Sequence, residues 1–329
     1  MKRKYSLIAV MILLTAIMIF DIRLNKPFDA FSASIVNYPE RKDATFIQNI
    51  ELECNEKLFV EVESSRLSIE PTIKQVASIE VAEPTDNIIM IRTELGLVLK
   101  VSGGVDAKIS LPETILPELT VRDSSFVSLK SGLGEVYATN SYINLGHNQV
   151  SKLRAVDSFV QLTDSKPQEI KATNSQLEIN QAHQDKVPIT LDITNSVVNA
   201  YRVGVLNGTT IDSTINLEYT GEVSLTAENS FIRAKRTSDS LNLNLISTTA
   251  YLELEDHLSK ITSENSEVTV RIPRNAVDLS IKVSNTPITT NISQAKGSSF
   301  SIYRGSEPKK QSLKTQGGTL KLYAPYVDM

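Results

Sequence analysis

Apolar and polar residues alternate along this chain in a ten-residue pattern, apolar-x-apolar-x-[Asn/Asp]-[Ser/Thr]-x-apolar-x-apolar, which recurs from Val136 to Thr290. With the corner residue as position zero, nine corners fall at Asn140, Asp157, Asn174, Asn195, Asp212, Asn229, Ser247, Asn265 and Asn285, eight of them Asn or Asp. Their spacings are 17, 17, 21, 17, 17, 18, 18 and 20 residues. Positions −4, −2, +3 and +5 supply 36 sites, of which 32 are apolar, too many for chance. The residues between them, at −3 and +4, are mostly polar. Each repeat therefore reads as two short strands with one face inward and one outward.

A unit this short cannot bury its apolar face alone, so the repeats are expected to stack and share a core. The predicted fold is all-β, a β-solenoid of about nine to ten coils. Asn and Asp suit the corners because they tolerate left-handed backbone angles, and the adjacent hydroxyl can satisfy a corner amide. At the inter-strand distance of about 4.8 Å, nine coils make a rod about 40 Å long. A β-sandwich also shows short strands at even spacing, but does not need one residue type at nine successive corners. Upstream, Leu119–Val121 and Val127–Leu129 around Asp123 read as a first coil with one extra residue at Ser124-Ser125, so the solenoid is expected over 105–294. Less regular alternation over 45–104 predicts hairpins forming an N-terminal β cap, and three short strands over 295–329 predict a C-terminal cap.

The N-terminus changes the picture. Met1-Lys2-Arg3-Lys4 precedes an apolar run from Tyr5 to Phe20, the layout of a signal peptide or signal anchor in residues 1–26, followed by a tether over 27–44. Asp21-Ile22-Arg23 follows the run and offers no small-residue cleavage site, which favours an uncleaved anchor over cleavage near Ala30–Ala33. The basic cluster places the remainder outside the membrane, so the expected location is the cell envelope: inner-membrane anchored with an extracytoplasmic domain, or secreted or periplasmic if cleaved. Cys54, the single cysteine, has no partner for an internal disulfide. A net charge of −4 without a basic stripe argues against nucleic acid as partner.

The order of signal segment, ragged strand pairs, the stretch Ile109-Ser110-Leu111-Pro112-Glu113 through Leu116-Pro117-Glu118-Leu119-Thr120-Val121, and then Asp/Asn-Ser coils resembles the GIN head domain of candidate bacterial auto-transporter adhesins and its adhesin-like relatives. The similarity spans roughly residues 45–290. The chain departs from that pattern in having few corner glycines and no translocator. The resemblance implies a cell-envelope β-solenoid and transfers no catalytic residue.

Candidate chemistry is sparse. Asp123, Asp157 and Asp212 share the corner line, but Asn corners separate them, so they read as turn residues rather than paired acids of a polysaccharide lyase or hydrolase. His147, His183 and His257 fall in inter-coil turns at different offsets, which does not suit a metal site. No catalytic residue, metal or cofactor is expected. The outward line is the stronger candidate: position +4 presents Asn144, Gln161, Glu178, Asn199, Asn216, Arg233, Tyr251, Thr269 and Thr289, and +2 puts Tyr142 beside Phe159. Tyr142, Phe159, Asn144, Gln161, Glu178, Arg233 and Tyr251 form the candidate partner-binding face, for a glycan or an envelope protein. A merely solvated sheet face would also carry polar residues there. Arg154 and Lys171, adjacent at −3, offer a second, weaker spot for an anionic polymer. The expected function is a non-enzymatic, adhesin-like or scaffolding module; the alternative is a carbohydrate-active β-helix enzyme.

Overall fold

The computed structural model describes residues 46–324, apart from 54–55, 183–186, 238, 256–257, 273–276, 293–297 and 305–309. The expected membrane segment, Cys54, His183 and His257 lie outside the described residues. The described residues belong to one compact unit, Ala44–Met329.

Among the described residues every element is a strand. The N-terminal set is β1 Phe46–Ile50, β2 Leu58–Glu63, β3 Arg66–Thr72, β4 Ala77–Val81, β5 Ile88–Thr93, β6 Gly96–Val101 and β7 Asp106–Pro112. The regular repeat begins with β8 Glu118–Arg122, β9 Ser125–Leu129, β10 Gly132–Thr139, β11 Tyr142–Gly146, β12 Gln149–Val156, β13 Phe159–Thr163, β14 Lys166–Thr173 and β15 Gln176–Asn180. It continues with β16 Pro188–Thr194, β17 Val197–Tyr201, β18 Val205–Ile211, β19 Thr214–Glu218, β20 Glu222–Glu228 and β21 Phe231–Lys235. Its last coils are β22 Ser240–Ile246, β23 Thr249–Glu253, β24 Leu258–Glu264 and β25 Glu267–Arg271. Then follow β26 Val277–Ser284, β27 Ile288–Thr290, β28 Ser299–Arg304, β29 Lys310–Gln316 and β30 Thr319–Tyr323.

Two 15-stranded sheets run the length of the unit, and each coil gives one strand to each. From β8 to β25 every coil stacks in parallel on its neighbour with corner over corner. The β-solenoid read from the sequence is the fold. Sheet A carries the odd-numbered strands of the repeat and sheet B the even-numbered ones. The inward rows, such as Ile143, Val160 and Leu177 in sheet A, are fully buried.

The corners explain the sequence rule. Each of the nine predicted corner residues has a positive φ, between 47° and 50°. An L-residue there strains Cβ against the carbonyl by about 1–2 kcal/mol, which Asn and Asp offset with short polar side chains. The residue after the corner is buried and hydroxylated for a second reason. Its N–H points at the next coil where no carbonyl stands, and the next coil's hydroxyl accepts it: Ser141 to Ser158, 3.1 Å; Ser158 to Ser175, 3.1 Å; Ser175 to Ser196, 2.9 Å. Each hydroxyl then donates to the carbonyl two residues back, as Ser158 Oγ does to Val156 at 2.7 Å. The chain of bonds runs unbroken from Ser65 to Ser266, with Thr248 serving as one link.

The opposite corner is also left-handed, at Lys130, His147, Asp164, Arg202, Tyr219 and Arg236, with φ from 50° to 60°. No single residue type marks it, so the sequence pattern does not reveal it.

Two findings revise the sequence reading. The coil around Asp123 carries no extra residue: Phe126 pairs with Ile143, and Phe126 and Ser128 are the buried pair, while Leu129 is half exposed. Ser124 is needed beside the corner, where its Oγ takes the Ser65 amide at 3.1 Å, and that fixes the register one residue earlier. Second, spatial order departs from chain order at both ends. Coil β2/β3 lies between β6/β7 and β8/β9, and coil β29/β30 lies between β24/β25 and β26/β27. Antiparallel pairing, expected for the flanks, occurs in β1–β4, β4–β7, β5–β6 and β26–β28. Three strand pairs from the flanks, β2/β3, β6/β7 and β29/β30, thus join the parallel stacks.

Candidate functional site on sheet A

The outer face of sheet A is built from positions +2, +4 and +6 of successive coils, because period-2 alternation that buries +3 and +5 must turn these outward. Tyr142 and Phe159 are register partners on adjacent coils, and their rings stack at 5.5 Å with 2° between planes. Tyr142 Oη donates to Gln161 Oε1 at 3.3 Å, and Asn144 Nδ2 lies 3.5 Å from that hydroxyl. Glu178 accepts from Gln176 Nε2 at 3.4 Å. This early part of the face satisfies much of its own polarity.

Further along, the face is hollowed. One hollow of about 420 Å³ spans Glu178, Asn199, Tyr201, Asn216 and Glu218, and reaches Arg233 and Lys235. A second, of about 530 Å³, begins at the same two cations and continues over Phe231, Tyr251, Thr269, Arg271 and Tyr323 to Ala324. The two join into one groove crossing the rungs of β15 to β30. Its lining draws on +4 residues such as Asn199, Asn216 and Thr269 and on +6 residues such as Tyr201, Glu218 and Arg271.

Arg233 and Lys235 lie at the junction. The acids beside them are engaged elsewhere: Glu218 with Arg236 at 3.5 Å and Glu253 with Arg271 at 3.4 Å. Neither Arg233 nor Lys235 makes an ion pair with another described residue. Next to them, Phe231 and Tyr251 pair across adjacent coils at 5.5 Å with rings inclined by 45°, and Tyr251 is 44% exposed. The amides of Asn199 and Asn216 are linked at 2.9 Å, which orients them along the groove. Two free cations, an open aromatic pair and ordered amides can hold an extended polar partner by charge, stacking and hydrogen bonds.

Of the candidate residues, the structure brings Glu178, Arg233 and Tyr251 into the groove, while Tyr142, Phe159, Asn144 and Gln161 lie on the same face outside it. Sequence reasoning left out Phe231, at +2, and Tyr201, Lys235 and Tyr323, at +6 or its equivalent. These positions share the outward parity of +4, so the signal was present. Arg154 and Lys171 are register partners on sheet B, away from the groove. Arg154 lies over the Tyr137 ring at 5.3 Å, and Lys171 pairs with Asp192 at 3.3 Å and Glu169 at 3.5 Å. There, hydrogen bonds from Tyr137 and then from Lys152 hold the Glu135 carboxyl below its usual range. The corner acids stay apart: Asn140 Nδ2 donates to Asp123 Oδ1 at 2.6 Å between two acidic rungs. His147 occupies a left-handed corner, 3.7 Å from Asp164.

No family model matches the chain. No curated protein matches it either. Among solved structures, the chain is similar to the crystal structure of a candidate cell adhesion protein from Clostridium sporogenes, over 85% of this chain and 98% of that one, at 10% identity and a TM-score of 0.23. A likeness that low carries no argument about ligand or activity.

Proposed function

We propose that this chain is a non-enzymatic, adhesin-like rod that holds an extended glycan or protein segment of the cell envelope along the outer face of sheet A. The observation that carries this reading is the groove itself, in which Arg233 and Lys235 have no acidic partner among the described residues and adjoin the open Phe231–Tyr251 pair. Stacked strands on a shared core give a rigid support, so binding need not pay for ordering the site. The apolar N-terminal run would tether the rod to the membrane, with residues 44–329 on the outer side.

The test is capture from envelope extract and on a glycan array, using the fragment 44–329, which forms one compact unit. Arg233→Ser with Tyr251→Ser is expected to abolish capture, while Tyr142→Ser with Phe159→Ser leaves it largely intact. Equal capture by all three proteins would reject the groove as the binding site, and loss only in the Tyr142/Phe159 variant would move the site to the first coils.

A further inference from the structure

We propose that the C-terminal strand pair β29/β30 is a removable rung: the rod has a second register in which β26/β27 stacks directly on β24/β25 and residues 310–323 are released as a free strand pair.

The two inserted rungs differ in how they are held. At the N-terminal end, β2/β3 fills its slot with Leu58, Val60, Val62, Leu67 and Ile69, all buried. The corner ladder crosses it without a break, through Val105 N–H to Ser65 Oγ at 3.2 Å and Ser65 N–H to Ser124 Oγ at 3.1 Å. At the C-terminal end Leu313, Leu320 and Leu322 are buried as well, but the filling is partly polar and the ladder does not cross. Where β24 meets β29, two polar pairs flank the apolar pair Ile261–Leu313: Ser259 with Gln311, and Ser263 with Thr315. The hydroxyls of Ser259, Ser263 and Thr315 are buried there without a hydrogen-bond partner among the described residues. Buried polar groups left unpaired weaken the seam that contains them. The hydroxyl ladder also ends here, because Gly317-Gly318 forms the corner and Gly318 has no side chain. A side chain could not be added, since a Cβ at Gly318 would stand 2.0 Å from the Ser266 carbonyl oxygen.

The register that removal would create is the one the repeat encodes. Asn285 follows Asn265 by 20 residues as the next corner in the chain, and Thr286 follows it as the next hydroxyl. Ser263 and Val283 both pair with Thr315, so without β29 an apolar side chain would cover Ser263. Ile261 and Ile281, which both pair with Leu313, would meet in the same way. Thr286 Oγ1 lies 2.9 Å from the Ser284 carbonyl, two residues back as for the ladder hydroxyls of Ser158 and Ser266, and 2.9 Å from the Gly317 carbonyl of the inserted rung; without that rung it would stand where the Ser266 amide needs an acceptor. Once out, its alternating Leu313, Thr315, Leu320 and Leu322 form strands with unpaired edges, suited to addition onto another sheet. Its departure also takes Tyr323 and Ala324 from the groove.

Hydrogen exchange by mass spectrometry on the full-length chain separates this from fraying. Fraying starts at the outermost rung, so 277–290 would exchange before 310–323. A removable rung predicts the reverse: 310–323 exchange together while both neighbours, 258–271 and 277–290, stay protected. Exchange of 277–290 with or ahead of 310–323, or equal protection of 310–323 and 258–271, overturns the proposal. Thr315→Val removes an orphaned hydroxyl present only in the inserted state and is expected to slow exchange of 310–323 roughly tenfold; an unchanged rate counts against it. Gly318→Ala is expected to accelerate the same segment, and if that variant does not fold, Thr315→Val decides alone.

Discussion

The backbone amide of Ser141 donates to Ser158 Oγ at 3.1 Å, and that hydroxyl donates in turn to the carbonyl of Val156 at 2.7 Å. One serine thus serves two coils: it supplies an acceptor to the coil before it and closes its own turn. The Ser141 amide and the Ser158 hydroxyl are buried, so water cannot take over the bond between the coils.

Ser158→Ala should therefore orphan the Ser141 amide and lower stability by about 1–3 kcal/mol. Ser158→Thr should cost less than half as much, since Thr248 fills the same role. The shift in urea midpoint of fragment 44–329 measures both, and an alanine variant as stable as the parent would show that the ladder contributes nothing.

The corner column gives a separate expectation. Asn174 has a φ of 50°, where a β-branched residue is strained. Asn174→Val should lower the melting temperature by an amount corresponding to about 1–2 kcal/mol, whereas Asn174→Gly should stay within a few tenths.

The register of the Asp123 coil is checked by two substitutions three residues apart. Phe126→Ala, which empties a fully buried site, should cost about 3–5 kcal/mol, and Leu129→Ala, at a half-exposed site, under about 0.5 kcal/mol. The opposite ranking would restore the register with Val127 and Leu129 inside.

On sheet B, Tyr137 and Lys152 both hydrogen-bond Glu135 and hold its carboxyl below the usual range. A depressed folded-state pKa stabilises the fold above the ordinary glutamate range, and that contribution is lost as pH falls through the lowered value. Titration of the Glu135 carboxyl by NMR should place its midpoint below that of an unperturbed glutamate, and Tyr137→Phe should move it up. A midpoint that does not respond to Tyr137→Phe would remove the tyrosine as the main cause.

In the groove, removing charge alone should separate electrostatics from stacking. Arg233→Ser with Lys235→Ser is expected to leave stability within about 0.5 kcal/mol, as exposed substitutions do. Capture should fall and lose its dependence on salt, because screening acts on those charges. Capture that stays equally salt-sensitive in the variant would place the electrostatic contact elsewhere.

What the sequence made legible follows from what each position must satisfy. The Asn/Asp corners and the hydroxyls beside them answer to one backbone angle and one orphan amide, so the same residue types recur and can be read. The second corner tolerates Lys130, His147 and Tyr219 alike, and leaves no mark. The coil at Asp123 was misread by one residue because Phe126-Val127-Ser128-Leu129 offers apolar residues at both parities, and only the ladder selects between them. Inserted rungs are invisible for another reason: β29 has the same alternation whether it stacks last or second to last. The outward face was legible in part, since +4 singled out Arg233 and Tyr251, while the groove depends on the depth between +4 and +6, which alternation does not encode.

Because every coil meets its neighbours through the same bonds, an added or deleted unit of about 17 residues changes the length of the unit by about 4.8 Å and leaves its cross-section alone. The stack is a ruler graduated in coils. If the groove holds a partner as proposed, that partner would sit at a distance from the N-terminal end of the unit counted in whole rungs, and duplication within the gene could reset that distance one graduation at a time.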